Sequence, residues 1–368
     1  MKTAAASELI PVTLLTGFLG SGKTTVLNHL VRQPELADAL VIINEFGEMA
    51  LDHLLVAHST ENVLMEMSSG CLCCTIRGDL VKTLRDITWR FSRNGERQFR
   101  RVLIETTGLA DPAPIIHTLM TDRRVVANYQ LDGIVATVDL TTGSTTLDRH
   151  VEAVKQVAMA DALLLTKGDI APEGSRDALA QRLKGLNPAA PRWAIRRGDI
   201  PPDKILNLGV FCPQGKVSAV ERWLREEAHA DQGRHLHHGH AHRGAHTDEA
   251  HAHHDVNRHD DRIRAFCFSL DEPIPEQGLV NWLAQLKELL GSNILRVKGI
   301  LNIVGSAQPV AVHGVQHTFH APIRLPAWPS QDRRSRVVFI TQDVARDVIE
   351  GTFNTLMQTS PDAGGRLP

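Results

Sequence analysis

Gly17-Phe18-Leu19-Gly20-Ser21-Gly22-Lys23-Thr24 spaces its glycines, lysine and hydroxyl as G-x-x-x-x-G-K-[ST], the pattern of a phosphate-binding loop. Glycine lets the backbone turn so that amides point inward at phosphate oxygens, and a helix opening near Lys23 adds the positive end of its dipole. In such a loop Gly17, Gly20, Ser21, Gly22 and Thr25 surround the phosphates. Lys23 reaches the β- and γ-phosphates, and the Thr24 hydroxyl ligates Mg²⁺. A second signature, Arg101-Val102-Leu103-Ile104-Glu105-Thr106-Thr107-Gly108, is an apolar run ending in a carboxylate. Glu105 there can hold the Mg²⁺ shell or orient water, and Gly108 can offer its amide to a γ-phosphate. A third, Thr166-Lys167-Gly168-Asp169, puts a carboxylate just after a strand. Asp169 can accept from guanine N1–H and N2–H₂, a donor pair that adenine lacks on that edge. The usual guanine-reading pattern is Asn-Lys-x-Asp, so Thr166 in the first place removes an amide contact. Taken singly, Glu105 is also readable as an ordinary acidic strand end and residues 166–169 as a surface turn.

Three of the five cysteines, Cys71, Cys73 and Cys74, fall within four positions. Clustered thiolates repel unless a cation neutralises them, which favours a soft or borderline metal such as Zn²⁺. Inert buried thiols or a redox pair are the alternatives. A closed structural zinc site takes four protein ligands. Three sulfurs leave the fourth position open or supplied from elsewhere, as a site that hands metal on would need. Eleven of the 19 histidines lie in residues 229–259. Candidate ligands among them are His235, His237, His238, His240, His242, His246, His251, His253 and His254. With an unperturbed pKa of about 6.5 their nitrogens are available at neutral pH. Interspersed Gly and Ala suit a weak, adaptive, multi-metal segment, either a loading antenna for the cysteines or a store. A polar linker with incidental histidines is the plain alternative.

These residues need a scaffold, and the hydrophobic pattern supplies one. Short apolar runs at residues 12–15, 40–43, 102–104, 133–138 and 163–165 alternate with amphipathic segments from Ile10 to about Arg197. Near-continuous Val/Ile/Leu runs suit parallel strands covered on both faces, so a doubly wound α/β sheet is expected. Val26, Leu27, Leu30 and Val31 mark the helix after the phosphate loop. Leu80, Leu84, Ile87 and Phe91 mark another. Order returns at Ile263, where Phe266, Phe268 and Leu270 alternate as on a strand, and further strands are expected at 294–304, 309–320 and 336–341. Helices are expected around Leu279, Trp282 and Leu286 and over residues 344–356, making a small α+β domain. The division expected is a nucleotide domain over residues 8–228, a His-rich linker over 229–260, an α+β domain over 261–357 and a disordered tail over 358–368.

Charge is balanced, 40 basic against 42 acidic residues, and aromatics are only 4%, which argues against a nucleic-acid partner. No apolar run approaches the roughly 20 residues of a membrane span. The N-terminal apolar stretch is broken by Glu8 and runs into the phosphate loop, so it reads as a buried strand and not a leader. Adjacent thiols suit a reducing, cytoplasmic setting.

Residues 17–25, Asn44-Glu45-Phe46-Gly47-Glu48, Cys71-Leu72-Cys73-Cys74, the run from Glu105 to Pro112 and residues 166–169 occur in an order that resembles the CobW-type GTPases. These are P-loop proteins that traffic metals, and C-x-C-C inside a P-loop domain is the specific part of the likeness. The resemblance implies hydrolysis of GTP to GDP and phosphate, with Mg²⁺, coupled to delivery of Zn²⁺ to a client metalloprotein. In some members the metal is cobalt, for cobalamin synthesis. It implies a metal site at Cys71, Cys73 and Cys74, with Glu48 as a candidate extra ligand or a solvated acid. It implies nucleotide contacts at Gly20, Gly22, Lys23, Thr24, Thr25, Glu105 and Asp169. Loops at 44–48 and 105–111 would then sense the γ-phosphate on either side of the cysteines. No arginine finger or water-positioning glutamine stands out, so slow intrinsic hydrolysis is expected. A metal buffer with a structural nucleotide site, an ATP-dependent small-molecule kinase and a homo-oligomer stay open at this point.

Overall fold

The computed structural model describes residues 9–43, 64–66, 75–94, 96–208 and 262–357. The first part is a sheet of strands β1 (Ile10–Gly17), β2 (Ala39–Ile43), β3 (Leu64–Glu66), β6 (Arg101–Glu105), β7 (Tyr129–Asp139), β8 (Ala162–Thr166) and β9 (Arg192–Ala194). Their order is β3-β2-β6-β1-β7-β8-β9, and every pairing is parallel. A two-stranded hairpin, β4 (Ser92–Arg93) and β5 (Glu96–Arg97), stands apart. Helices α1 (Lys23–Leu30), α2 (Thr75–Arg90), α3 (Ala113–Thr121), α4 (Arg123–Val126), α5 (Gly143–Arg149), α6 (Val151–Met159) and α7 (Ser175–Leu186) connect the strands.

Both faces of the sheet are covered, which is why its strands read as continuous apolar runs. Val12, Leu14, Ile104 and Ile134 pack toward α2, α3 and α6. Leu15, Val41, Leu103 and Leu164 pack with Val26, Leu27 and Leu30 of α1 on the other side. The expected stripe on α2 is buried at Leu80, Leu84 and Ile87, while Phe91 lies one residue past the helix and is half-buried.

The second sheet contains β10 (Ile263–Leu270), β11 (Ile294–Leu301), β12 (Val310–Val315), β13 (Thr318–Phe319), β14 (Ile323–Arg324) and β15 (Ser335–Gln342). All its pairings are antiparallel, with β10 and β11 on either side of β15 and β12 beyond β11. Helices α8 (Glu276–Leu290) and α9 (Arg346–Met357) cover one face, where Phe268, Trp282, Phe339 and Ile349 interlock. Alternation along β15 sends Val337 and Phe339 to that face and Val338 and Ile340 to the other. The second face is buried against the parallel-sheet unit, and Leu295, Ile300, Val315, Val338 and Ile340 belong to its core. Helices α6 and α7 pack on β11 and β10.

Several expectations are corrected. The strand expected over 309–320 is two strands, because the chain reverses at Gln316 (φ 50°), a left-handed residue that is neither glycine nor asparagine. The strand expected over 294–304 ends at Leu301, and the last helix starts at Arg346. Strands β3, β9 and the β4–β5 hairpin were not foreseen, being two or three residues long. The His-rich stretch 229–260 and the tail 358–368 lie outside the described residues.

Candidate nucleotide and metal site

Strand β1 ends in the phosphate loop, and the loop's shape follows from its glycines. Gly17 has φ 141°, and a Cβ there would come within 2.2 Å of Thr137 Oγ1. Gly22 has φ 93° and opens α1. Both positions therefore admit only glycine without distortion. Ser21 Oγ hydrogen-bonds Thr137 Oγ1 at 2.6 Å, tying the loop to β7. Lys23 Nζ donates to the carbonyls of Gly17 (2.9 Å) and Phe18 (3.2 Å), so its ammonium arches back over the loop it follows.

Parallel pairing sets Glu105 of β6 opposite Leu15 of β1 and so beside this loop. Thr24 Oγ1 donates to Glu105 Oε1 at 3.0 Å, and Glu105 is buried. A hydroxyl and a carboxylate one hydrogen bond apart are hard oxygen donors that fit a Mg²⁺ completing its shell with phosphate oxygens and water. Past Glu105 the chain stays against the loop. Thr106 N–H donates to Leu15 O at 3.0 Å and Thr106 Oγ1 to Thr16 Oγ1 at 2.9 Å. Gly108 lies so near the loop that a Cβ would sit 2.6 Å from Leu19 N. Leu19, Gly20, Gly22, Lys23, Thr24, Thr25, Ile43, Glu105, Thr106, Thr107, Gly108 and Lys167 line a cleft of about 310 Å³. That volume suits a nucleotide-sized ligand.

The third signature enters from β8. Thr166 Oγ1 donates to Ser21 O at 2.7 Å, so the residue standing where asparagine is usual tethers the strand end to the phosphate loop. Lys167 adopts φ 58°, and its Nζ donates to Asp139 Oδ2 at 2.6 Å. Burial opposes ionisation of Asp139, but hydrogen bonds from Lys167 and Thr141 outweigh it and hold the carboxyl below its ordinary range. Asp169 follows on the exposed turn, beyond the residues lining the cleft.

Four residues at this site escape a reading of the sequence. Asp139 ends a strand expected to stop at 138, so the carboxylate one residue on was the missed signal. Ile43 lines the cleft from the end of β2. Gln156 and Lys155 of α6 hold the loop after Glu105. Gln156 Nε2 donates to Gly108 O (3.2 Å) and Ala110 O (3.0 Å), and Lys155 Nζ pairs with Asp111 Oδ2 at 3.0 Å. Nothing local marks an amide between Val154 and Val157 as a loop holder.

The metal expectations fall elsewhere. Cys71, Cys73, Cys74, Glu48 and the whole Asn44–Glu48 stretch lie outside the described residues, as do His235, His237, His238, His240 and His242. Among the described residues no group of three or more His, Cys, Asp or Glu could hold a metal ion.

A glycine loop between a parallel strand and a helix, with lysine, threonine and a neighbouring carboxylate in these places, defines a P-loop nucleotide-binding protein. More narrowly, the chain belongs to the CobW-type P-loop GTPases. Residues 11–193 match the CobW/HypB/UreG nucleotide-binding domain, and residues 263–357 match the cobalamin synthesis protein cobW C-terminal domain. The zinc chaperone YjiA of Escherichia coli is 31% identical over 94% of this chain and 98% of its own length. The zinc-regulated GTPase metalloprotein activator 1 of Dictyostelium discoideum is 25% identical over 96% of this chain and 81% of its own. The crystal structure of Zn(II)-bound YjiA GTPase from E. coli superposes with a TM-score of 0.65 at 25% identity, covering 95% of this chain and all of that one.

Proposed function

We propose that this GTPase carries Zn²⁺ on Cys71, Cys73 and Cys74 and passes it to a client metalloprotein when its nucleotide changes. Relatives named as zinc chaperones and as a metalloprotein activator support zinc as the cargo and a protein as the receiver. Thiolate and imidazole also suit cobalt, so the ligand types alone leave that metal as the rival cargo. The observation that carries the coupling is where the cysteine segment joins the fold. Ile43, which lines the cleft, is followed directly by residues 44–48, and Thr75, which opens α2, directly follows Cys74. Helix α2 then leads back to β6 and Glu105. Both ends of the metal-bearing stretch are thus connected to elements that shape the nucleotide cleft.

Lys23 would hold the β- and γ-phosphates, and the amides of residues 20–25 would cradle them. Thr24 and Glu105 would hold Mg²⁺, which neutralises charge between the β- and γ-phosphates. Gly108 would meet the γ-phosphate, and Lys167 and Asp169 would take the guanine. The described residues lining the cleft include no arginine and no glutamine, so unassisted hydrolysis should be slow. The histidines of residues 229–259 would gather metal for the cysteines. Adjacent thiols fit a reducing, cytoplasmic setting, and no helix among the described residues is long and apolar enough to cross a membrane.

The test replaces Cys71, Cys73 and Cys74 with serine and follows GTP hydrolysis against added Zn²⁺. The parent rate should respond to zinc and the variant rate should not. An unchanged response would reduce the chain to a nucleotide hydrolase.

A further inference from the structure

Helix α6 touches both halves of the molecule, and its C-terminal half makes contacts of unusual kinds in both directions. Toward the cleft stands Gln156, only 1% exposed. Both its amide donors go to carbonyls of the loop after Glu105, while its Oε1 is buried with no hydrogen-bond partner. A buried acceptor left unmade costs about 1–3 kcal/mol, so the amide is kept here for the two loop carbonyls its nitrogen reaches. The loop Gln156 grips is the one whose Gly108 lies against the phosphate loop. Lys155 adds a second hold through Asp111.

Just beyond Gln156 the C-terminus of α6 is clasped. Asn187 Nδ2 donates to the carbonyls of Val157, Ala158 and Ala160 at 2.8–3.2 Å, closing the helix terminus. Two residues past α6, Asp161 N–H donates to Ile134 O at 2.6 Å, and Asp161 Oδ2 accepts from Ile134 N at 3.0 Å. Asp161 Oδ1 accepts from Arg296 and Lys298 of β11. The carboxylate and Arg296 are both buried, so the second sheet cannot shift on α6 without separating charges away from water. From the 108–110 carbonyls to β11 the path is the last turn of α6 and the two residues after it, from Gln156 to Asp161, held by hydrogen bonds on both sides.

We propose that Gln156 is a positioning residue for GTP hydrolysis, and that α6 transmits the seating of the C-terminal sheet on Asp161 to the loop it holds. A displacement of β11 would then alter hydrolysis from a distance. This rests on the family's GTPase activity and is independent of the cysteine site. The physical warrant is a shared rigid element, and coupling through it is measured by a double-mutant cycle.

The experiment measures kcat and KM for GTP on the full chain carrying Gln156→Leu, Lys298→Met or both. Gln156→Leu keeps side-chain volume and removes both donors. It should lower kcat by about tenfold or more and move KM by less than about threefold, at a temperature well below its melting transition. A purely structural glutamine would lower the melting temperature and leave kcat within about twofold, and that unchanged kcat would overturn the positioning role. Lys298→Met leaves Arg296 to balance Asp161, so folding is retained. It should change kcat by about threefold or more alone and by less than about 1.5-fold on top of Gln156→Leu. A null effect alone, or effects that multiply, would overturn the transmission. Should Gln156→Leu fail to fold, Lys155→Met, at a half-exposed position, replaces it in the same cycle under the same criteria.

Discussion

The nucleotide cleft and the Asp161 junction both set carboxylates against basic side chains, yet they are built for opposite ends. In the cleft Lys167 is 36% exposed while holding Asp139, and Lys23 donates to carbonyls of its own loop. Such cations can turn to a phosphate with little loss, because Lys23 leaves neutral carbonyls and Lys167 leaves a carboxylate in a half-exposed pair that solvent screens. At the junction Arg296 is 3% exposed, and Asp161 is its charged partner. Burial would raise the Asp161 pKa, but the nearby Arg296 and Lys298 charges hold it well below the carboxylate range. The same residue types thus make an exchange site where partners are replaceable and a clamp where they are not.

The contrast fails first if the clamp is weak. Asp161→Ala leaves two cations facing no carboxylate and should cost about 3–5 kcal/mol in denaturant unfolding. A loss under about 1 kcal/mol would show that the junction holds nothing. At the cleft, Lys23→Ala should leave the melting curve in place while GTP hydrolysis falls by about 10²–10³-fold, read as phosphate release.

Acid separates the two regions next. Burial pushes His320, near His313 in the second sheet, down to about 4. Above pH 6.5 both folded and unfolded chains keep it neutral. Between pH 6.5 and 4 only the unfolded chain gains the proton, so stability falls as pH falls. The expected loss is about 3 kcal/mol, from 1.36 kcal/mol per pKa unit. His313 is depressed by burial and by Arg296, and it adds in the same direction. Asp161 and Asp139 have lowered pKa values, so their contributions stay intact until pH drops below about 3.9. His320→Gln should flatten the stability profile in this window, and a profile unchanged by that substitution would contradict the assignment.

Smaller effects sharpen the picture of the cleft. Asp169→Asn should cut the preference for GTP over ATP by about tenfold to a hundredfold in competition binding. Thr166→Val removes the tether to Ser21 and should cost about 1 kcal/mol of stability, detectable as a lower melting temperature.

The cleft was legible in the sequence because its chemistry is local. Glycines that need positive φ, a lysine and a threonine sit at fixed offsets after one apolar strand, and Glu105 ends another. The junction was not legible, because Asp161 lies more than 130 positions from Arg296 and Lys298 and meets them only through tertiary packing. Gln156 was hidden for the same reason. The α+β character of the C-terminal part followed from alternation along β10 and the stripe on α8. Its burial against the parallel sheet did not, since an apolar residue on either face of a strand reads alike in sequence.

The coupling of cysteine metal to nucleotide is tested most directly by titrating Zn²⁺ into the full chain loaded with GDP or with a non-hydrolysable GTP analogue. Zinc affinity should differ between the two states, and saturating zinc should change the affinity for the analogue relative to GDP by the same factor, as linkage requires. Equal zinc affinities in both states would contradict nucleotide-governed delivery.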